Sequence, residues 1–358
     1  MPRRLLLGGY FGSGNLGDDA ILLGLLEGLA GRGHDVTVLS GNPEETSRLY
    51  GVRTVQRRNL RLVRETIAGH DALVYGGGSL FQDSTSIRSV LYYHGLVAWA
   101  KKAGKKVALV GQGVGPVRSF LGRRLTARAF GLADAVAVRD PASAALLREL
   151  GVPAAPVVAA DPAFLLPKPR QAGDVGGFQV GEMRTIGIAP RQWGKGGMGP
   201  VASLIADFCR MVFQSNMMPV LVEMDRHEDA TTIQEIEARL GGKAPAIQKV
   251  PTPTQLQERL ARMDAVLAVR LHAGVLAANV GVPSMMLSYD PKVAAFAKEF
   301  DLPCHANLGV LTAQRLFDDF GAMLKDRPKL VQRLEAKLPE ARRSARQNIV
   351  VIERCLGA

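Results

Sequence analysis

Short apolar runs alternate with longer amphipathic stretches along nearly the whole chain. This rhythm constrains the fold more than any other feature. RLLLGG (4–9), VTVLS (36–40), DALVYG (71–76), KVALVG (106–111) and DAVAVR (134–139) read as buried strands, with amphipathic segments at 18–31, 87–103, 119–132 and 141–150 between them. Strand, helix, strand at this spacing predicts right-handed βαβ units and a parallel sheet. The rhythm breaks at PKPRQAGDVGGFQVGEM (167–183), which is rich in Pro and Gly and reads as a linker. It restarts with RTIGIAPR (184–191), a helix over 200–214, PVLVEM (219–224) and a helix over 228–240. A weak strand near 246–250, a helix over 254–262, DAVLAVR (264–270), a helix over 273–280, PSMMLSY (283–289) and a helix over 291–300 follow.

A chain of 358 residues is too long for one ordinary core. The expected organisation is an α/β protein with an N-terminal Rossmann-like lobe over 1–166, the linker, and a second Rossmann-like lobe over 184–311. A helical, Arg/Lys-rich tail over 312–358 is expected to pack back on the first lobe. The two parallel sheets are expected to face each other across a central cleft.

The formal net charge of +12 favours anionic partners: phosphorylated substrates, an anionic membrane face or nucleic acid. Nucleic acid is disfavoured, because there are only two Trp and six Tyr, no zinc-ligand spacing and no RNA-binding aromatic motif. Cys209, Cys304 and Cys355 are far apart and form no C-x-x-C, so neither a disulfide framework nor a metal site is expected, and a reducing, cytoplasmic setting fits. MPRRLLLGGYFG mimics the start of a signal peptide, but its apolar run is short and leads straight into a Gly-rich loop, so it reads as the first strand. No apolar run reaches the roughly 18 residues needed to cross a bilayer.

In open α/β sheets, ligands bind beyond the carboxyl ends of the strands. The unusual clusters of this chain sit there: GSGNLGDD after the first strand, GGGSLFQD (76–83), GQGVGP (111–116), Arg139-Asp140, Pro190-Arg191-Gln192-Trp193, Arg270-Leu271-His272 and Ser288-Tyr289-Asp290-Pro291-Lys292. Gly12, Gly14 and Gly17 spell the G-x-G-x-x-G of dinucleotide sites, but the confirming context is missing. The second strand ends VTVLSGN, with no acid for a ribose, and Asp18 and Asp19 open the helix where a pyrophosphate would rest. The glycines are expected to form a tight turn that a substrate can approach, or simply a turn capped by Asp18.

GYFGSGNLGDDAIL, GGGSLFQD, GQGVGP, an Arg-Asp before a helix, RLHAGVLAANVGVP and SYDPKV occur in one order over about Gly8 to Pro303. Together they resemble the polysaccharide pyruvyl transferase family, most closely its CsaB-type members. The resemblance implies a GT-B-like fold and transfer of pyruvate from phosphoenolpyruvate onto a sugar as a cyclic ketal. For CsaB-type members it implies, as acceptor, a β-linked N-acetylmannosamine of a lipid-linked cell-wall polysaccharide precursor. The pyruvylated polymer then anchors surface-layer proteins to the wall. No cofactor and no metal is implied.

Phosphoenolpyruvate carries a phosphate and a carboxylate, so its site needs several fixed cations. Arg191, Arg270 and Lys292, at three strand ends of one lobe, are expected to clamp them, with Arg139 reaching from the other. His272 is expected to cycle a proton at the methylene carbon, and Asp83 to take the proton of the sugar hydroxyl. Gly14, Asn15, Asp18, Gly77 and Gly78 are expected to hold the acceptor. Competing readings are specific: a helix cap for His272 or Asp83, a buried ion pair for Arg270, and pairing of Arg139 with Asp140 or Asp161. Asp225 and His227 alone are too few for a metal.

Arg57, Arg58, Arg61 and Arg64 fall at helix-like spacing with Leu60, Leu62 and Val63 between them, and Arg118, Arg123, Arg124 and Arg128 form a second group. They are either a solvated face or a peripheral contact with the anionic inner face of the plasma membrane, where a lipid-linked acceptor would sit. Two other functions compete. A nucleotide-sugar glycosyltransferase shares the fold, with Glu223 offered to a ribose. A basic, membrane-associated scaffold would need no chemistry at His272.

Overall fold

The computed structural model describes residues 2–83, 86–169, 183–192, 199–241 and 250–357. Most of the expected linker and most of the weak strand near 246–250 lie outside the described residues. The chain forms two compact units, Met1–Leu166 with Glu340–Ala358, and Pro167–Pro339.

The first unit contains β1 (Arg4–Gly8), α1 (Leu16–Leu29), β2 (Asp35–Ser40), α2 (Pro43–Tyr50), β3 (Arg53–Gln56), α3 (Leu60–Gly69) and β4 (Ala72–Gly76). It continues with α4 (Ile87–Lys102), β5 (Lys106–Gln112), α5 (Phe120–Leu132), β6 (Ala135–Val138), α6 (Pro141–Glu149) and β7 (Val157–Val158). The sheet is parallel, in the order β3-β2-β1-β4-β5-β6-β7. The chain moves one way from β1 to β3 and the other way from β3 through β6. Right-handed crossovers therefore put α1 and α2 on one face and α3, α4 and α5 on the other. Val63, Ile67, Val90, Leu96, Val97, Ala129 and Phe130 close the core on that second face.

The second unit contains β8 (Arg184–Ala189), α7 (Gly199–Gln214), β9 (Met217–Leu221), α8 (Ala230–Arg239), α9 (Pro253–Leu260), β10 (Ala265–Ala268), α10 (Leu271–Asn279), β11 (Ser284–Leu287), α11 (Pro291–Glu299) and β12 (Cys304–His305). Its sheet is also parallel, ordered β12-β11-β10-β8-β9.

The segment after 312 divides. α12 (Ala313–Lys325) stays with the second unit, where Phe320 meets Phe208 of α7 edge-on at 5.3 Å. α13 (Arg327–Leu356) continues through Pro339, and its part from Glu340 belongs to the first unit. There Asn348 Nδ2 donates to the Ala160 carbonyl at 2.9 Å, Ser344 Oγ accepts from the Ala160 amide, and Ile349 lies against Gly28 of α1. No described helix is long and apolar enough to cross a membrane.

Candidate active site

Each unit gathers chemistry-bearing residues at the carboxyl edge of its own sheet. In the second unit, β10 lies between β8 and β11. Arg191, just past β8, donates from Nη1 to the Tyr289 hydroxyl, just past β11, at 2.6 Å, and its guanidinium stacks over the same ring at 5.0 Å. This bridge connects the strands on either side of β10, which itself leads into Arg270 and His272. Arg270 caps α10 and is only 5% exposed. Its Nε donates to Asp229 Oδ1 at 3.0 Å, and its Nη2 contacts the same oxygen. Asp229 is wholly buried and accepts from the Met224 and Asp225 amides at 3.0 and 2.9 Å.

Glu228 completes the cluster. Its Oε2 lies 3.1 Å from Arg191 Nη2 and 3.0 Å from Arg270 Nη2. One carboxylate oxygen of this half-exposed side chain thus sits between two guanidinium groups, the arrangement that an anionic ligand would need. Burial pushes the Tyr289 phenol up, against the pull of Arg191 and Arg270. His272 is half-buried in the first turn of α10. Lys292 is in the first turn of α11, with Nζ 3.2 Å from Asp290 Oδ2. Asp225 and His227 form a turn, Asp225 Oδ1 accepting from the His227 and Glu228 amides.

In the first unit, Asn15 caps α1, its Oδ1 accepting from the Gly17 and Asp18 amides at 2.9 and 3.3 Å. The helix start that a pyrophosphate would occupy is thus capped by the chain itself. Gly77 and Gly78 take positive φ, +60° and +74°, and pack on the same helix. A Cβ on Gly77 would strike Ile21, and one on Gly78 would lie 2.8 Å from Asp18 Oδ1. Asn15, half-buried Asp18 and the Gly77-Gly78 turn therefore meet at one place, and Gly14 lies in the same loop. Behind them, buried Asp19 accepts from the Gly12 amide at 2.8 Å and the Tyr50 hydroxyl at 3.2 Å. Burial pushes its carboxyl up to about 6, the Gly12 amide opposing and Asp18 adding to the rise.

A family model for polysaccharide pyruvyl transferase matches residues 15–291, more than half of the chain. The chain belongs to the polysaccharide pyruvyl transferase family. No curated protein matches it. Among solved structures, it is similar to S. aureus MnaA with UDP, at TM-score 0.67 and 12% identity, covering 98% of this chain and 95% of that one. It is also similar to a glycosyltransferase from Rickettsia africae, at 0.65 and 12%, covering 99% of each chain. A UDP-GlcNAc 2-epimerase from Neisseria meningitidis bound to UDP-GlcNAc gives 0.60 and 12%, covering 99% of this chain and 100% of that one. These likenesses establish the fold, a GT-B fold of two Rossmann-like units.

The structure gives three of the expected residues partners of their own within the first unit. Asp83, expected as the acceptor's base, accepts from the Arg118 amide, the Ser119 amide and Ser119 Oγ at 2.8, 2.8 and 2.6 Å. Burial alone would raise its carboxyl, but these donors outweigh that and lower it. Its carboxylate ties the Gly-rich loop to the start of α5. Arg139, expected at the donor, is held inside the first unit. Its Nη1 contacts Asp161 at 3.3 Å and its Nη2 donates to Ser79 Oγ at 3.1 Å. A Cβ on Gly113 would lie 2.6 Å from its Nε, so the loop after β5 is laid directly against this guanidinium. Arg57, expected on a membrane-facing surface, is buried, stacks on the Tyr10 ring at 4.3 Å and offers its carbonyl to the Tyr92 hydroxyl.

Three residues of the two sites received no role from the sequence: Asp19, Glu228 and Asp229. Asp19 had a sequence signal, since two adjacent acids at a helix start exceed what one cap needs. Glu228 and Asp229 had none, because their partner Arg270 is about forty residues away in sequence.

Proposed function

We propose that this chain transfers the pyruvyl group of phosphoenolpyruvate to a sugar of a lipid-linked polysaccharide precursor, forming a cyclic ketal. A β-linked N-acetylmannosamine is the acceptor that its resemblance to CsaB-type members favours. The support is the pair Arg191 and Arg270, converging on one carboxylate oxygen of Glu228 in a sheet edge that also bears His272 and Lys292. In this reading the donor's anionic groups replace the Glu228 carboxylate against Arg191, while Arg270 stays locked on Asp229 and supplies positive potential from behind. Lys292 contributes a second cation.

His272 gives a proton to the methylene carbon, which becomes a methyl group, and positive charge develops at C2. A sugar hydroxyl oxygen forms a bond to C2 and loses its proton. The bond from C2 to the phosphate oxygen breaks, and its electron pair leaves with phosphate. The oxygen of a second sugar hydroxyl then bonds to C2 and closes the ketal, its proton returning to His272, while the proton of the first hydroxyl leaves with phosphate. Asp18, against Gly78 and beside Asn15, is the carboxylate that the first unit offers to the acceptor. Asp83 is committed to Ser119.

The test is phosphate release from phosphoenolpyruvate with a β-N-acetylmannosaminide, with the product mass read in parallel. Acceptor-dependent phosphate and a sugar heavier by pyruvate less water are expected. Consumption of a UDP-sugar instead, with no phosphate from phosphoenolpyruvate, would move the protein to the glycosyltransferases.

A further inference from the structure

α3, α4 and α5 lie side by side on one face of the first sheet, and all three begin at its carboxyl edge, because each follows its strand in a parallel array. Helices packed this way are about 10 Å apart, so their first turns make a rim some 20 Å wide. That rim is apolar where solvent should favour polar groups. Phe120, the first residue of α5, is 79% exposed and its neighbour Leu121 50%. Leu60 and Leu62 at the start of α3 and Leu91 near the start of α4 are exposed as well. Isolated apolar side chains on a surface are ordinary, but several on one rim mark a contact.

The charge of the same rim names the partner. Helix N-termini carry partial positive charge and favour acids in the first turn. α1 and α2 on the opposite face follow this rule with Asp18, Asp19, Glu44 and Glu45. α3, α4 and α5 have no acid in their first turns. Exposed arginines stand there instead: Arg58 and Arg61 around Leu60, Arg88 one turn before Leu91, and Arg118 and Arg124 around Phe120 and Leu121. Some of this charge is met within the protein, since Arg61 pairs with Glu65 and Arg123 with Glu149. Asp83 also faces the start of α5, accepting from the Arg118 and Ser119 amides, so the starts of α3 and α4 and the remaining arginines carry the positive, partly apolar surface.

We propose that this rim docks the first unit on an anionic phospholipid surface, Phe120, Leu121 and Leu60 entering the headgroup boundary and the arginines binding lipid phosphates. A cation near such a surface strengthens binding about fivefold. The apolar side chains add burial that salt does not screen. The rim shares the carboxyl edge of the sheet with the Gly12–Asp19 loop, so docking brings that loop to the membrane.

The test is sedimentation of the full chain with phosphatidylcholine vesicles, with and without phosphatidylglycerol, at about 0.1 M salt. It reads binding without turnover, so its result is separate from that of the phosphate-release assay. Binding about tenfold or more tighter to the anionic vesicles is expected. Replacing both Phe120→Ser and Leu121→Ser should lower it about tenfold with an unchanged melting temperature. In a Phe120→Trp protein, the added indole emission should shift to the blue only with anionic vesicles. Equal binding to both vesicle types overturns the proposal. So does binding that the serine substitutions leave unchanged, or an indole that does not shift. Self-association in solution that Phe120→Ser abolishes would give this face to a second copy of the chain and also overturn it.

Discussion

Arg270 lies against Asp229 with its Nε 3.0 Å from Oδ1, and neither side chain has appreciable contact with solvent. The pair joins the start of α10 to the turn before α8, so it fixes the edge of the sheet that bears Arg191, His272 and Lys292. Removing one partner of a buried pair leaves the other charged and uncompensated, and costs about 3–5 kcal/mol. Asp229→Ala should therefore lose that much in denaturant unfolding. Combining Asp229→Leu with Arg270→Met should recover most of the stability. If the double variant is also as active as wild type, Arg270 has no part in holding the donor.

Asp19 gives a pH signature in the other unit. Its folded-state value of about 6 lies above the roughly 3.9 of an unfolded aspartate, so the folded chain binds the extra proton between these values. Stability from this group is therefore complete below about pH 4 and is lost as pH rises through about 6. Holding this carboxylate ionised in the folded chain costs up to about 3 kcal/mol at pH 8. Asp19→Asn keeps an acceptor for the Gly12 amide and a donor for the Tyr50 oxygen. It should be more stable than wild type at pH 8 by about 1–3 kcal/mol and no more stable at pH 4. Parallel melts at the two pH values check this, and an equal gain at both would remove the titration of Asp19 as the cause.

The fold was legible because its central strands are continuous apolar runs, which burial on both faces demands. β3 (RTVQ) and α2 (PEETSRLY) gave no such signal. β3 is an edge strand, and α2 buries little more than Thr46. At the site, the rule that ligands gather at strand ends located Arg191, Arg270, His272 and Lys292 on one sheet edge. The same rule could not tell a side chain that faces a ligand from one that faces the protein. Arg139 and Asp83 stand at strand ends too, but Asp161 and Ser119 claim them, and only three-dimensional partners reveal that.

Glu228 competes with the donor for Arg191 in the reading proposed above. Its side chain is half exposed, so its pairing is worth about 1 kcal/mol rather than the larger value of a buried pair. Glu228→Gln should tighten binding of phosphoenolpyruvate by about fivefold, the equivalent of that energy. Arg191→Lys should weaken it by about tenfold or more, since an ammonium group cannot span Tyr289 and an anion as the planar guanidinium does. Titration calorimetry with phosphoenolpyruvate and no acceptor reads both. Weaker binding in Glu228→Gln would mean that Glu228 orients the two arginines rather than screening them.

His272 separates chemistry from binding. It starts α10 two residues beyond Arg270, half-buried, and the core beneath it is made by Leu271, Ala273 and Val275. His272→Asn keeps a small polar group at the helix start and disturbs none of that packing. Its melting temperature should stay near wild type, and phosphoenolpyruvate should bind within a few-fold. Turnover should fall by about a hundredfold or more, the usual contribution of a positioned acid. Deuterium from solvent should enter the product's methyl group in the wild type, because the added proton comes from an exchangeable group. An active His272→Asn protein, with methyl labelling and rate unchanged, would take the proton donor's role away from His272 and leave it as part of the helix start.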